Sequence, residues 1–319
     1  MRCWCGNIDL SPFDAGYRRC DACQTLVSVR ADQPFDVTAF YGDRYWFDHQ
    51  IRDLGTPDIV ARSRTDLADR AAHWMRSLLR FVLPPAKVLE IGCSHGGFVA
   101  MMSQAGFDAT GLEINPSIVN LARTTFGIEV LTGPIESQSI PAGTFDAVVM
   151  LDVIEHLPDP ATTLTRCLDV LKPGGVLFGQ TPAYPAGQLL AGLHATGHKF
   201  PQMLDPAEHL YLFSESAIER LFRRIGATDI RFVSAVFGFY DQSFFVSRSP
   251  LVETTEAQRN AALEETTGGR FVRAMLDIDD RRLALLEKYR DVVRSTGVPP
   301  MPERAERGRD ARATDDPVR

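Results

Sequence analysis

Four of the six cysteines fall within the first 23 residues, as Cys3-Trp-Cys5 and Cys20-Asp-Ala-Cys23. Two close pairs of thiols around a short loop suit one tetrahedral zinc, because thiolates are the preferred soft ligands and four of them close a structural site. A segment this short cannot bury enough apolar surface to offset its chain entropy, whereas metal binding couples ordering directly to ligation. A redox Cys-x-x-Cys would need a strand-to-helix setting that these residues lack, and a terminus with oxidisable thiols is the plain alternative. Cys93 and Cys167 read as small packing residues.

A second constellation is Val88-Leu-Glu-Ile-Gly-Cys-Ser-His-Gly-Gly-Phe98, where an apolar run ends in Gly92, Gly96 and Gly97. Glycines at the carboxyl end of a strand let backbone approach a nucleotide-like ligand, although Gly92, Ser94 and Gly96 form a G-x-S-x-G frame rather than the dinucleotide G-x-G-x-x-G. Some twenty residues on, Glu113 is spaced to accept hydrogen bonds from both hydroxyls of a ribose. Two acid–histidine pairs supply candidate general bases: Glu155-His156, three residues after Asp152, and Glu208-His209, within Asp205-Pro-Ala-Glu-His209. His194 and His198 lie between them in a Pro- and Gly-rich stretch and could touch a substrate or be solvated.

These residues need a scaffold, and the hydrophobic periodicity supplies one. Apolar positions at helical spacing from 57 to 83 predict one long, interruptible helix stopped by Pro84-Pro85. Strands are predicted at 87–91, 109–114, 128–131, 145–151 and 175–180, with helices at 97–104, 116–126 and 161–171, the last ended by a turn at Lys172-Pro-Gly-Gly175. After a substrate-facing insertion at 181–206 come a helix at 214–225 and strands at 229–234 and 242–246. The alternation predicts an α/β chain with a doubly wound, mostly parallel seven-stranded sheet. The aromatic cluster 40–47 is too short for a domain and reads as a docking element. A charge-laced helical stretch at 253–294 could pack on the core or form a seam between copies.

Composition narrows the partners. With 45% hydrophobic and 24% charged residues the chain is an ordinary globular protein, and 34 Lys plus Arg against 41 Asp plus Glu leave a net charge of −7, a field that repels a phosphate backbone. Nucleic acid is not an expected partner, nor is a membrane, because no apolar run approaches 18 residues. The first residues lack the apolar core of a signal peptide, which predicts a cytoplasmic protein.

Taken in order, Glu90-Ile-Gly92-Cys-Ser-His-Gly96, Glu113, Phe145-Asp-Ala-Val-Val-Met-Leu-Asp152-Val-Ile-Glu-His-Leu-Pro-Asp159 and Leu171-Lys-Pro-Gly-Gly-Val-Leu177 resemble the motifs of the class I S-adenosylmethionine-dependent methyltransferases over residues 57–246, with Ser94 in place of a middle glycine. The resemblance implies the Rossmann-like methyltransferase fold and S-adenosylmethionine as cofactor. It implies that Glu90, Gly92, Ser94 and Gly96 form the methionine-end loop, Glu113 and Ile114 the ribose end, and Pro134 and Ile135 the adenine flanks, with Asp152 closing the pocket. Domains are then a zinc knuckle at 1–35, a linker and helix at 36–85, the methyltransferase domain at 86–248, a helical segment at 249–298 and a disordered tail at 299–319.

The Glu208-His209 segment is similar to a Glu-His-x-x-x-Phe-Ser motif of sugar methyltransferases, and the four cysteines followed by a Tyr-rich segment resemble the deoxysugar C-methyltransferases. Those enzymes carry a further large C-terminal domain that the stretch after the last predicted strand does not match. The resemblance therefore implies O-methylation of a sugar hydroxyl on a glycan, nucleotide-sugar or secondary metabolite, with His209 as base and Glu208 orienting it. C-methylation of a deoxysugar is the alternative, and a non-catalytic cofactor-binding or zinc scaffold is the reading from another class. Asp152, Glu155 and His156 resemble a divalent-metal cluster of quinone-pathway O-methyltransferases, but no second metal is expected here. The acceptor is expected to be a small molecule or sugar, with a homo-oligomer through the C-terminal helices as the one protein contact considered.

Overall fold

In the computed structural model, which describes residues 1–53 and 55–296, the chain opens with three short strands, β1 (Leu10–Pro12), β2 (Tyr17–Cys20) and β3 (Leu26–Ser28). These carry too few residues to form a sheet of their own core. Their fourth strand is β9 (Tyr211–Leu212), supplied from late in the chain, giving an antiparallel sheet ordered β1-β2-β3-β9.

The main sheet holds β4 (Lys87–Ile91), β5 (Asp108–Glu113), β6 (Glu129–Thr132), β7 (Phe145–Leu151), β8 (Leu171–Pro182), β10 (Asp229–Val233) and β11 (Asp241–Ser247) in the order β10-β11-β8-β7-β4-β5-β6. Neighbours from β8 to β6 pair in parallel, and β11 runs antiparallel to both β8 and β10. The seven-stranded, mostly parallel α/β sheet expected from the alternation is present. Its central strands are near-continuous apolar runs because helices cover both faces: Met75, Leu78, Val88, Val149 and Phe178 fill one side, and Leu89, Val148, Leu168, Leu177 and Phe244 the other.

Several boundaries follow local chemistry. Asn115 caps the helix Pro116–Phe126 by accepting from the amides of Ser117 and Ile118, and Pro116 sits where a missing amide costs nothing. The predicted 57–83 helix runs as Ile59–Asp66 and Ala72–Leu79 with a wider turn over Leu67–Ala71 between them. Two expectations change. Lys172-Pro-Gly-Gly175 does not stand outside the sheet as a turn: it belongs to the first part of β8, exposed at 172–174, where the register with β7 shifts between Phe145 and Ala147. The 181–206 stretch is also more ordered than a plain insertion, beginning with the end of β8 and containing the helix Leu190–Ala195 and a single turn at Phe200–Met203.

The charge-laced stretch forms the helices Glu256–Glu264 and Thr267–Thr296. Val272 and Leu276 join the core, and Arg76 ties the second helix down through Asp279 and Asp280 at 2.8 Å each. Beyond them Leu285, Tyr289 and Val292 are exposed. The 299–319 tail lies outside the described residues. No helix among the described residues is long and apolar enough to cross a membrane.

Candidate active site

A cavity of about 1590 Å³ opens along the carboxyl ends of β4, β5 and β7, larger than the ~300–1,000 Å³ usual for a single ligand and so roomy enough for a cofactor beside an acceptor. The chain turns out of β4 at Gly92, where φ is +71° and an added Cβ would stand 2.6 Å from Val153 Cγ2. Only glycine fits that turn. Ser94 and Asp152, on facing loops, also hold positive φ, +50° and +55°, strain of the kind that collects at ligand sites.

Glu113, at the end of β5, accepts from the Ser94 amide (3.1 Å) and the Asn115 amide (3.0 Å). Burial pushes its carboxyl up while those backbone donors pull it down, and the balance lies above the usual value. Glu90 is 5% exposed, and its Oε2 has no hydrogen-bond partner. Burial, with the charge of Glu113 adding to it, pushes its carboxyl up to about 8. A buried carboxyl with an orphaned oxygen in a cavity wall fits a cationic ligand group, and the α-ammonium of S-adenosylmethionine is one. Ile114, Pro134, Ile135 and Asp152 line the same cavity, as do Gly92 and Ser94. Gly96 does not. Its positive φ lets the helix Gly97–Ala105 begin against Ile128 and Ala122, whose side-chain atoms would lie 2.4 and 3.0 Å from an added Cβ.

Sequence reasoning missed Asp66, Arg70 and His95, which edge the cavity beside Asp152. Burial works against ionising Asp66, but the His95 bond (3.0 Å) and the cations of Arg62 and Arg70 hold its carboxyl down to about 2. Arg70 lies 3.8 Å from Asp66 and 3.7 Å from Asp152, with its guanidinium carbon 5.1 Å from the Phe237 ring centroid. The i,i+4 spacing of 66 and 70 was the available signal.

At the other end the histidines converge. Glu155 is buried and accepts from the Thr181 hydroxyl at 2.8 Å. Burial raises its carboxyl to about 7 against the pull of His156. His156 Nδ1 stands 2.7 Å from the Tyr41 hydroxyl and 2.8 Å from the Glu208 carbonyl, and its ring lies 5.0 Å from that of His209. His209 Nδ1 is 2.7 Å from the Met203 carbonyl oxygen. A carbonyl only accepts, so the proton sits on Nδ1 and Nε2 is the basic nitrogen.

Glu208 does not orient His209. Its Oε1 is bonded to His49 Nε2 at 2.9 Å and its Oε2 accepts from the Tyr45 hydroxyl at 3.4 Å, because successive side chains of the tight 205–209 turn leave it in different directions. His49 continues to Asp53 at 2.5 Å. Nor does the pair cap the following helix, whose amide at Ala217 is bonded by Ser214. The aromatic cluster 40–47 docks on this end through Tyr41 and Tyr45. His194 and His198 are exposed and do not line the cavity.

At this end Glu155, His156 and His209 bring ligand atoms within 4.8 Å of one another. Asp152, grouped with the first two by sequence, turns instead to Gln180 Nε2 at 3.2 Å and to Arg70.

The four N-terminal cysteines do meet. Cys3 and Cys23 sulfurs are 3.5 Å apart and Cys5 and Cys20 sulfurs 3.6 Å, all four lying within 4.8 Å. Disulfide sulfurs would stand at ~2.05 Å, whereas a tetrahedron with Zn–S of ~2.3 Å has edges of ~3.8 Å. The set fits a thiolate-bound zinc.

Residues 66–231 match the family model described as a methyltransferase domain, just over half of the chain. The ubiquinone biosynthesis O-methyltransferase of Xanthomonas campestris pv. campestris strain B100 is 31% identical over 145 residues, 40% of this chain and 61% of that protein; the corresponding protein of Xanthomonas axonopodis pv. citri is 32% identical over 139 residues, 39% and 58%. The chain thus spans about three fifths of the length of these curated relatives. Among solved structures, magnesium protoporphyrin IX methyltransferase from Synechocystis PCC 6803 superposes with a TM-score of 0.46 at 17% identity, over 67% of this chain and 98% of that one. A methyltransferase solved with the Haloferax volcanii Trm112 methyltransferase activator gives 0.47 at 16%, over 60% and 94%. With the family match lying across the Gly92 loop, Glu113 and the carboxyl ends of the parallel strands, this chain belongs to the methyltransferase-domain family of S-adenosylmethionine-dependent enzymes.

Proposed function

We propose that the protein transfers the methyl group of S-adenosylmethionine to a hydroxyl oxygen of a small-molecule acceptor, a sugar or natural-product hydroxyl, with His209 as general base. The observation that carries this reading is the His209 imidazole, which lines the cavity and is fixed by the Met203 carbonyl so that Nε2 is its basic nitrogen. When bound, the cofactor supplies an activated methyl on a sulfonium. The chain's own residues then have two tasks: to align the acceptor oxygen and to take its proton. Glu90 and Glu113 would hold the ammonium and ribose ends. Glu208 holds His49 and Tyr45 at the mouth. The O-methyltransferase relatives support transfer to oxygen over the shared span, and the cysteine module together with Glu208-His209 supports a sugar-bearing acceptor. Zinc in the Cys3, Cys5, Cys20, Cys23 tetrad has a structural part in this reading.

The test is release of S-adenosylhomocysteine, with mass spectrometry of products, from wild type and His209→Ala against nucleotide-sugars, glycosides and catechols. Loss of a general base lowers kcat about 10²–10⁴-fold with cofactor affinity kept. Unchanged turnover moves the base to His156. Tight cofactor binding without turnover on any acceptor favours the scaffold reading.

A further inference from the structure

The segment that bears His209 lies between two sheets, and much of its backbone, the His209 carbonyl included, is held from the cysteine-bearing one. Tyr17, fully buried in β2, donates its hydroxyl to the carbonyl of His209 itself at 2.9 Å. Ser28, at the end of β3, donates its hydroxyl to the Pro206 carbonyl at 2.7 Å and its amide to the Leu210 carbonyl at 2.9 Å. Leu26 and Val27 then pair with Leu212 and Tyr211. Gly16 packs so closely that an added Cβ would stand 2.8 Å from Pro206 Cγ. The main sheet's side holds other backbone groups: Leu210 donates its amide to the Glu155 carbonyl at 2.8 Å, the Glu208 carbonyl stands 2.8 Å from His156 Nδ1, and the Phe213 carbonyl accepts from the Tyr184 amide and from Gln242 Nε2 at 2.8 Å each.

The same two strands carry the thiols. Cys20 is the last residue of β2, Cys23 lies in the turn to β3, and their partners Cys3 and Cys5 close over that end of the hairpin. Tyr17 and Ser28 are paired at the other end. An ion in the tetrad therefore fixes one end of a hairpin whose opposite end holds the backbone of the base.

We propose that the cysteine module is a splint for the catalytic segment, with Tyr17 and Ser28 as positioning residues for His209, and that occupancy of the tetrad by a thiolate-preferring ion such as zinc sets how firmly the base is held. This rests on His209 being the base. The cofactor end is built separately, on the ends of β4, β5 and β7, so losing the splint lowers catalysis without lowering cofactor affinity. A structural thiolate site releases its binding free energy as order in the chain around it, and here that chain includes a strand paired to the active-site segment. Backbone held by few and mostly non-local bonds opens locally when one is removed.

The test uses the full chain, with zinc removed by a chelator and then restored, alongside Tyr17→Phe and Ser28→Ala in the zinc-loaded protein. Hydrogen exchange of the 205–213 amides is read by mass spectrometry, together with kcat, KM and calorimetric cofactor affinity. Removing zinc is expected to speed exchange in 205–213 about tenfold or more, reversibly, with cofactor affinity unchanged. Tyr17→Phe, which deletes one buried hydrogen bond, is expected to lower kcat about three- to tenfold with KM and cofactor affinity kept and exchange faster in that segment alone. Ser11→Ala loses an exposed bond to Asp21 inside the module and leaves kcat unchanged, which separates splinting from general loosening. Wild-type exchange in 205–213 after zinc removal, or wild-type kcat in Tyr17→Phe, overturns the proposal. If His209→Ala keeps full turnover while zinc removal still speeds exchange, the base assignment falls and the splint stands.

Discussion

Glu90→Gln is expected to abolish a proton release that accompanies cofactor binding in the wild type. Glu90 is buried, its carboxyl is pushed up to about 8, and its Oε2 has no partner, so at pH 7 about 0.9 of the molecules hold it protonated. Contact with an ammonium favours the charged form, and binding therefore expels about 0.9 proton from Glu90. The cofactor's own amine, with an ordinary α-amino pKa near 7.8, takes up about 0.1, leaving a net release of about 0.8. The same two ionisations make affinity rise about eightfold from pH 6 to pH 7, peak near about pH 8 and fall above it as the cofactor's amine loses its proton. Glutamine matches the protonated acid in shape and hydrogen-bond capacity, so the variant keeps the cavity but not the proton. Titration calorimetry in buffers of differing ionisation enthalpy counts the protons directly. A wild-type release below about 0.2 proton at pH 7, or a Glu90→Gln variant that releases as much as wild type, would refute the assignment of Glu90 to the ammonium.

Other expectations follow from neighbouring contacts. Glu113→Ala removes a carboxylate already aligned by two backbone amides, and calorimetry should find cofactor affinity lowered at least about tenfold, since each charge-assisted bond contributes roughly 1.5–3 kcal/mol. Metal analysis of the purified protein should give one equivalent of zinc that a Cys20→Ser/Cys23→Ser variant lacks; wild type without metal would remove the knuckle. For His49, partial burial lowers the imidazole, but the bonds to Glu208 and Asp53 outweigh it and leave the pKa above 6.5. Its charged pairing is thus complete below about pH 6.5 and lost as pH rises through the raised value. The Tm gap between wild type and His49→Ala should be widest near about pH 6 and should narrow toward alkaline pH; a gap independent of pH would speak against an imidazolium there.

The elements legible in the sequence were those with local signals. β4, β7 and the helix Pro116–Phe126 fall on the residues their patterns indicate, because doubly buried strands are unbroken apolar runs and Asn115-Pro116 is a strong helix start. Lys172-Pro-Gly-Gly175 misled because its composition states a turn while pairing with β7 decides otherwise. Strands β1 to β3 and β9 carry little local signal, being two to four residues long, and β9 pairs with β3 across most of the chain. At the site, Gly92, Glu113 and His209 could be named from motif and spacing. The turn of Glu208 toward His49, 159 residues away, could not, since nothing local encodes a contact that only the tertiary fold creates.

The late arrival of β9 has a consequence for biogenesis. Ser28 and its partner Pro206 are 178 residues apart, which at roughly 5–20 residues per second is about ten to thirty-five seconds of synthesis. During that interval the first three strands have left the ribosome without the strand that completes their sheet, and four thiols stand in an unfinished module. Sheet closure, unlike ligation by the four early cysteines, is thus tied to completion of most of the methyltransferase domain, and a nascent chain arrested before Tyr211 presents β3 as an unpaired edge.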